Sequence, residues 1–299
     1  MHLEGVIPPM MTPTTGRTGT VDVDALRSVT DFLVDGGVHG LFPCGSIGEF
    51  SSMTREQRAT VIETVVDASG DRPVIAGCGG TAIGDVLEYV ADADEAGADA
   101  AVVVTPYYLT TTDAGMVDFF DAVLAEASLP IMVYNIPPLT KHCLDVETVA
   151  ALAERDGVVG IKDSSGDINY INELIAGTPE GFAVVPGLSA LQVAALDTGA
   201  DGAVTGTANV FPGAVSEIHD AHRAGDRERA VRLLREVVVP ISGAVSELPT
   251  ASAVKHLVRR RGFDAGPPLA PLPRLSDEQR DLLDSRYEQV VDTGLVEAR

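Results

Sequence analysis

Lys162 is the side chain in this sequence best placed to act as a nucleophile. It follows an apolar run at residues 158–161, and only two other lysines, Lys141 and Lys255, occur among the 299 residues. At the end of a buried strand an ammonium group loses part of its hydration, which favours the neutral amine that attacks carbonyl carbons. The alternative is a lysine that extends from the rim of a fold into solvent. Its position predicts a Schiff base with a carbonyl compound.

Tyr134 and Asn135 end the apolar run that precedes the one ending in Lys162. If the two runs are neighbouring strands, the phenol lies beside the Schiff base and can transfer protons to and from the reacting atoms. The alternative is an ordinary rim tyrosine whose hydroxyl group contacts water. The order of the two runs therefore favours an acid–base role for Tyr134.

A third candidate is the segment GSIGEF at residues 45–50. Gly45 and Gly48 permit a tight turn whose backbone N–H groups can hold a carboxylate, and the Ser46 hydroxyl adds a donor. Gly-Ser turns are common, so the segment has weight only together with the lysine and the tyrosine. A second glycine-rich segment, GCGGTAIG at residues 77–84, lacks the spacing of a dinucleotide loop, and no phosphate-binding lysine follows it.

Eight short apolar runs with helical segments between them must position these residues. The β-branched, almost continuously apolar runs are typical of parallel strands buried on both faces. Helical spacing of apolar residues at 55–68 and 85–96 predicts crossover helices. The pattern predicts a (β/α)8 barrel, a TIM barrel, with a doubly wound open sheet as the alternative. The runs begin at Gly5, Gly40, Pro73, Ala100, Pro130, Val158, Phe182 and Gly202.

The domain organisation follows from the same pattern. Residues 1–225 are expected to form the barrel, and residues 226–299 a helical C-terminal extension that contains a Pro-rich segment at 266–273 and a last helix from about Ser276. In such barrels the active site lies at the C-terminal ends of the strands, where Lys162 and Tyr134 occur.

The composition limits the possible partners. Acidic residues outnumber basic ones 44 to 21, giving a net charge of −23, which disfavours nucleic acid binding and is typical of salt-adapted proteins. No apolar run approaches the length of a membrane helix, and the N-terminus lacks the pattern of a signal peptide. We therefore expect a cytoplasmic enzyme that acts on a small-molecule substrate, with no nucleic acid or membrane partner.

Cysteines and histidines do not indicate a metal site. Cys44, Cys78 and Cys143 are far apart in sequence and form no CxxC pair, so we expect free thiols. His219 and His222 are three residues apart on an expected helix, but no acidic HExxH pattern surrounds them. We expect no metal.

Four motifs in their order and spacing resemble the pyruvate-dependent class I aldolases and lyases of the dihydrodipicolinate synthase and N-acetylneuraminate lyase superfamily. The resemblance covers nearly the whole chain. It rests on GSIGE at 45–49, TPYY at 105–108, YNIP at 134–137 and GIKDSSGD at 160–167, and on the Pro-rich end near PLAPLP.

The resemblance implies residue roles. Lys162 would be the Schiff-base lysine, Tyr134 the proton-transfer residue and Ser46 the relay hydroxyl, with no cofactor beyond the covalent Schiff base. Tyr108 is similar to the tyrosine that family members lend to a neighbouring subunit, which implies a homo-oligomer, usually a tetramer. The expected substrate-binding residues are Gly45, Ile47, Ser164, Gly187 and Val204.

Departures from the family pattern narrow the substrate. Leu139 replaces the arginine with which dihydrodipicolinate synthases hold the carboxylate of aspartate semialdehyde. Residues 188–190, Leu-Ser-Ala, replace the acidic pair of neuraminate lyases, and Ile47 replaces the second hydroxyl of the carboxylate turn.

The remaining expectation is an aldolase of a 2-keto-3-deoxy sugar acid such as 2-keto-3-deoxygluconate, similar to archaeal members of the family. The alternatives are a 4-hydroxy-tetrahydrodipicolinate synthase, a keto-deoxy sugar acid dehydratase and a neuraminate lyase-like enzyme. A non-catalytic sugar-acid-binding protein is the alternative of a different class.

Overall fold

The apolar runs form short parallel strands, and the most regular of them belong to one five-stranded sheet in the order β4-β5-β6-β7-β8. The computed structural model describes residues 3–297. A small antiparallel hairpin, β2-β3, which the sequence pattern did not predict, lies outside the parallel strands. The strands are β1 (Gly5–Val6), β2 (Thr14–Thr15), β3 (Thr20–Val21), β4 (Ile75–Gly77), β5 (Ala100–Val104), β6 (Ile131–Asn135), β7 (Val158–Asp163), β8 (Ala183–Pro186) and β9 (Gly202–Ala203).

The ring of strands closes through shorter pairings. β1 pairs in parallel with β9, and the Val204 N–H donates to the Pro186 carbonyl at 2.9 Å, which joins β9 to β8. On the other side, single bridges join Pro9 to Phe42 and Leu41 to Val74. The parallel segments thus form the predicted barrel.

The second predicted strand, from Gly40, is not a regular strand and consists only of the bridges at Leu41 and Phe42. The physical reason is local. Pro43 has no N–H to extend the ladder, and the facing segment contains Pro8 and Pro9, which have none either.

Helices cover the outside of the barrel. The predicted helix at 55–68 is present as α2 and begins with a capping box between Thr54 and Gln57. Gly97 and Gly199 end α3 and α8 in the left-handed conformation, as expected for a helix-to-strand turn. The helices are α1 (Val23–Asp35), α2 (Arg55–Ala68), α3 (Ile83–Ala96), α4 (Asp113–Leu124), α5 (Pro137–Thr140), α6 (Val146–Ala153), α7 (Ile168–Gly177), α8 (Gln192–Thr198), α9 (Pro212–Arg223), α10 (Arg227–Leu233), α11 (Val239–Ser246), α12 (Thr250–Arg260) and α13 (Asp277–Val291).

The C-terminal helices pack on the barrel helix α9. Their apolar side chains form one cluster with those of α9, including Val215, Leu233, Leu257 and Leu283, all fully buried. A π-helical turn, Leu234–Val238, connects α10 to α11. The last helix begins after Ser276, which forms a capping box with Gln279.

Two further apolar clusters form the core of the barrel. The largest lies between the strands and the surrounding helices, and a smaller one fills the barrel interior with residues such as Phe42, Val102, Met132 and Val204. Because the interior is filled, chemistry is confined to the ends of the strands.

Candidate active site

Lys162 and Tyr134 lie side by side at the C-terminal ends of β7 and β6. Their Cα atoms are partners in the register of the two strands, and paired positions point to the same face of a sheet. Lys162 Nζ lies 3.9 Å from the centroid of the Tyr134 ring, and each residue is only 4% exposed. The structure thus brings together the amine and the phenol ring that the sequence places on consecutive runs.

Phe42 forms a second aromatic wall around the amine. Its ring centroid lies 5.0 Å from Lys162 Nζ, and its ring meets that of Tyr134 edge-on, with the centroids 6.5 Å apart. Aromatic faces attract a cation and exclude water. The amine is therefore held in a narrow, mostly apolar environment.

A hydrogen-bond network fixes the strand ends just beyond the two reactive side chains. Asn135 Nδ2 donates to Asp163 Oδ1 at 2.7 Å, while the Ser165 hydroxyl and N–H donate to Asp163 Oδ2 at 2.6 and 3.2 Å. Burial raises the pKa of the Asp163 carboxyl group, and the hydrogen bonds from Ser165 and Asn135 oppose that shift. Because Asn135 and Asp163 directly follow Tyr134 and Lys162, the network fixes the relative position of these two side chains.

The predicted carboxylate turn, residues 45–48, lies between two residues with left-handed backbone, Cys44 at φ 57° and Glu49 at φ 63°. Such conformations are strained for residues other than glycine. Glu49 N–H donates to the Ser46 carbonyl at 3.1 Å and closes the turn. Nowhere in residues 3–297 do the N–H groups of residues 46–48 find an acceptor. They remain available to an anion.

Ile47 makes one side of this turn apolar. A Cβ built on Gly206 would lie 2.7 Å from Ile47 Cδ1, so the side chain packs across the loop that follows β9. Where the family pattern has a hydroxyl, this chain has a packing contact, and the donors of the turn are the backbone N–H groups and Ser46.

Gly187 follows β8 and contacts the reactive lysine. A Cβ at this position would lie 1.9 Å from Ser164 Oγ and 3.0 Å from Lys162 Cε, and the Gly187 N–H donates to the Asp163 carbonyl at 2.6 Å. Val204, which is fully buried, lies inside the barrel below this end. The close contacts leave room only for glycine at 187.

A group of buried hydroxyls follows β8 and β9 at the same end of the barrel. Ser189 Oγ and Thr205 Oγ1 are hydrogen bonded to each other, and Thr207 Oγ1 donates to Ser189 Oγ at 3.3 Å. Together with Ser164 they give this side of the site neutral polar character.

Tyr108 and Leu109 extend from the loop after β5. Tyr108 is 94% exposed with a strained φ of 78°, and Leu109 is 76% exposed. Of the two threonines that follow in this loop, Thr112 caps α4 by accepting from the Gly115 N–H at 3.2 Å, and Thr111 is exposed beside that cap.

Leu139 lies in α5, directly after β6, and its side chain is 61% exposed. The two basic residues that follow it already have partners: Lys141 Nζ donates to the Pro138 carbonyl at 2.7 Å, and His142 Nε2 lies 3.0 Å from Asp113 Oδ1. This connection therefore offers no guanidinium for a second carboxylate.

Several residues of the site were missed by the sequence reasoning. Thr105 is the first residue of TPYY and has its Oγ1 buried, with no partner in the described part of the chain. Its place in a recognised motif was a usable signal. Thr205 and Thr207 carried no signal, because hydroxyls after a strand are common. Glu49 lies inside the GSIGEF segment and is only 2% exposed. The sequence reasoning did not expect this acidic residue to be buried.

His219 and His222 lie at the opposite end of the barrel. His222 pairs with Asp197, whereas His219 lies beside His39 and Asp220, with ligand atoms near enough for a metal ion. However, the Val6 N–H donates to His39 Nδ1 at 3.0 Å, so in neutral His39 the proton is on Nε2, which faces Asp220 at 3.0 Å. A metal-binding histidine normally donates one ring N–H to a protein acceptor and binds the metal through its other, unprotonated ring nitrogen. In His39 the unprotonated nitrogen already accepts from the backbone, so this cluster does not favour a metal.

Comparison with known proteins decides the family. The model of the Dihydrodipicolinate synthetase family matches residues 2–290. The chain belongs to this family. A Halobacterium salinarum protein described as an uncharacterized DapA-like lyase is 37% identical over 297 residues, which covers 99% of this chain and 96% of that protein. A Methanopyrus kandleri 4-hydroxy-tetrahydrodipicolinate synthase is 35% identical over 284 residues and covers 94% of each chain.

Solved structures agree with this assignment. The Escherichia coli K12 protein YagE, solved in complex with pyruvate, superimposes with a TM-score of 0.92 at 29% identity, over 97% of this chain and 99% of that one. The chain is thus an enzyme of the pyruvate-dependent class I aldolase and lyase superfamily. Enzymes of this family form a Schiff base with pyruvate through a lysine and need no external cofactor. Within residues 3–297, no helix is both long enough and apolar enough to cross a membrane.

Proposed function

We propose that the chain is an aldolase that cleaves a 2-keto-3-deoxy sugar acid, such as 2-keto-3-deoxygluconate, to pyruvate and an aldehyde. The observation that carries the chemistry is the buried pair of Lys162 Nζ and the Tyr134 ring, 3.9 Å apart. Within residues 3–297, the surroundings of this pair offer hydroxyl groups and backbone N–H groups, and the connection after β6 contains no arginine.

In the proposed reaction, Lys162 Nζ attacks the C2 carbonyl of the 2-oxo acid to give a carbinolamine. A proton from the Tyr134 phenol lets the C2 hydroxyl leave as water, giving a protonated imine and the Tyr134 phenolate. Tyr134, with Ser46 as relay, removes the proton of the C4 hydroxyl. The C3–C4 bond then breaks, the C4 oxygen becomes the carbonyl of the departing aldehyde, and the bonding electrons move into the imine to give an enamine. Protonation at C3 and hydrolysis release pyruvate and restore the free amine.

The carboxylate of the 2-oxo acid would bind at the turn formed by residues 45–48. Its three N–H groups have no acceptor within residues 3–297, so they and the Ser46 hydroxyl are donors open to an anion, as the N–H groups of anion-binding turns are. Ile47 then contributes its backbone N–H and an apolar wall rather than a hydroxyl. Gly187, which lies against Lys162, leaves room for the substrate carbons next to the amine.

The charges around the site favour a substrate whose remaining part is neutral. A second carboxylate in a site that excludes water needs a partner such as arginine, and Leu139 cannot provide one. The rim nearby is acidic, because Asp113 and Asp145 are close enough that Asp113 raises the pKa of the Asp145 carboxyl group. A neutral polyol has no charge that would be left unpaired or be repelled by the acidic rim. The Ser164, Ser189 and Thr205 hydroxyls are suitable partners for it.

A second candidate function is the condensation of pyruvate with aspartate semialdehyde. It is favoured by the names of relatives, since the Methanopyrus kandleri protein and several others of similar identity are called 4-hydroxy-tetrahydrodipicolinate synthases. A dehydratase of keto-deoxy sugar acids would use the same lysine and tyrosine. The three reactions share the imine and differ in the second substrate or product.

The imine is tested by trapping. Pyruvate with borohydride should attach one reduced adduct to Lys162, found by intact-mass measurement and peptide mapping, and Lys162→Met should form none. An adduct on Lys141 or Lys255, or no adduct at all, would contradict the mechanism and leave a non-catalytic sugar-acid-binding protein as the better interpretation.

The substrate is tested by comparing kcat/KM for cleavage of 2-keto-3-deoxygluconate and for condensation with aspartate semialdehyde, measured on the same preparation in high salt. We expect cleavage to be faster by about tenfold or more, because an unpaired buried charge costs several kcal/mol. Leu139→Arg should narrow the difference. If condensation is faster in the wild type, the sugar-acid proposal is wrong while the Schiff-base mechanism stands.

We also propose that the active enzyme is a homotetramer in which Tyr108 reaches the site of a neighbouring copy. Its 94% exposure and strained backbone, beside exposed Leu109, are costly in an isolated chain and are explained by an interface. Light scattering on the purified protein tests the state, and Tyr108→Ala should lower both the assembly size and the activity.

A further inference from the structure

A buried ion pair lies behind the carboxylate turn and joins it to the C-terminal helices. Glu49 Oε1 lies 2.5 Å from Lys255 Nζ, and both side chains are completely buried. Glu49 Oε2 accepts from the Leu269 N–H at 2.6 Å. Neither residue touches the reactive lysine, so the pair serves another purpose than the imine chemistry.

The partners of Lys255 complete a closed network. Its ammonium group donates to Thr14 Oγ1 at 3.2 Å and to the Pro267 carbonyl at 3.0 Å, and Thr14 Oγ1 itself donates to the Pro267 carbonyl at 2.9 Å. Burial lowers the pKa of Lys255, and the Glu49 carboxylate opposes that shift. A buried pair of this kind is stable only when its remaining polar atoms are bonded, as they are here.

The network acts on the turn through the backbone of Glu49. That residue has φ 63°, and its N–H donates to the Ser46 carbonyl, while Thr12 Oγ1 donates to the Gly48 carbonyl at 3.1 Å. A strained conformation persists only where the surroundings hold it. Without its side-chain anchors, Glu49 can relax, and the peptide groups of residues 46–48 then turn away from the bound carboxylate.

We propose that Glu49 and Lys255 are positioning residues: their ion pair holds the turn at residues 45–48 in its anion-binding geometry and makes binding of the 2-oxo acid depend on the C-terminal extension. This inference rests on the proposed function. The pair acts on the affinity for the 2-oxo acid carboxylate, not on the amine that forms the imine.

The test is a double-mutant cycle with Glu49→Gln, Lys255→Met and the double variant, read by melting temperature and by the pyruvate dependence of borohydride trapping. Each single variant leaves one buried charge unpaired and should melt at a lower temperature, whereas the double variant buries no charge and should recover most of the loss. All three should need about tenfold or more pyruvate for half-maximal trapping, with the saturating rate within about threefold of wild type.

A matched control is the pair Glu217 and Arg229, which joins α9 to α10 at 2.7 Å away from the turn. Its neutral variants should change the melting temperature without changing the pyruvate dependence. Thr14→Val, which removes one acceptor of Lys255 but keeps both charges, gives a milder variant that should shift the pyruvate dependence in the same direction if the single charge variants do not fold.

The outcomes separate the two proposals. If the double variant recovers both stability and the wild-type pyruvate dependence, the pair is only structural and the inference is wrong, while the Schiff-base mechanism stands. If Thr14→Val folds with an unchanged pyruvate dependence, the inference is likewise contradicted. If wild-type protein traps no pyruvate, the proposed function fails and this inference with it.

Discussion

Gly187→Ala tests the geometry of the site directly, because the added methyl group has a known position. Its carbon would lie 1.9 Å from Ser164 Oγ, about 1.5 Å closer than the 3.4 Å at which ordinary contact begins, and 3.0 Å from Lys162 Cε. The hydroxyl can rotate away, but Lys162 must shift as well. Overpacking of this kind costs about 1–3 kcal/mol, which corresponds to about 5- to 150-fold slower imine formation if the whole cost falls on the lysine.

The assay is the rate of pyruvate trapping by borohydride at saturating pyruvate, with the circular dichroism melting curve as the check on folding. Gly187 has no positive φ, so alanine brings no backbone strain there. Gly84→Ala, where nothing lies within 4 Å, is the matched control and should trap at the wild-type rate. Adding Ser164→Ala to Gly187→Ala removes the closest contact and should restore part of the rate. A Gly187→Ala protein that traps within threefold of wild type would refute the placement of Gly187 against Lys162.

Three further predictions follow from the structure. Tyr134→Phe should fold normally and lose activity by about 10²–10⁴-fold if the phenol does acid–base work; a loss under threefold in steady-state cleavage would mean a rim residue. In the native protein, Ellman's reagent should label only Cys143, because Cys143 is exposed whereas Cys44 and Cys78 are buried. Burial raises the pKa of Cys44 to about 12 and raises the pKa of Cys78 as well, and three thiols should react in denaturant. With a net charge of −23, the melting temperature should rise from 0.1 M to 1 M KCl, as the screening length falls from about 10 Å to about 3 Å; a flat or falling salt series would contradict that interpretation of the acidic surface.

The barrel and the adjacency of Lys162 and Tyr134 could be predicted because both follow from short-range rules. Continuous β-branched runs indicate parallel strands, and two consecutive strands in register place their penultimate residues side by side, as happens for Tyr134 and Lys162. The tight turn at residues 45–48 was predictable from Gly45 and Gly48, because glycines permit such a turn, whereas the contacts that hold it from outside were not.

The ion pair behind the turn could not be predicted in the same way. Glu49 and Lys255 are far apart in sequence, and no periodicity links a turn residue to a lysine on α12. The same limit applies to the hydroxyls, because whether Ser189 reaches Thr205 depends on how two loops meet in space. What the sequence does contain is the type of each residue, and an acidic residue inside an otherwise apolar and glycine-rich segment was a sign that a partner was needed.

Two different requirements explain why the barrel contains both interrupted strands, in its first two segments, and regular strands, such as β6 and β7. Pro8, Pro9 and Pro43 have no N–H, so the first two segments leave the ladder after a few residues, and the chain can form the turn at 45–48 with its N–H groups unpaired. A continuous strand there would use those donors in the sheet. The amine and the phenol have the opposite requirement, since their contact depends on the fixed register of β6 and β7. In the proposed mechanism, the interrupted strands therefore supply donors for the substrate, and the regular strands hold the groups that react with it.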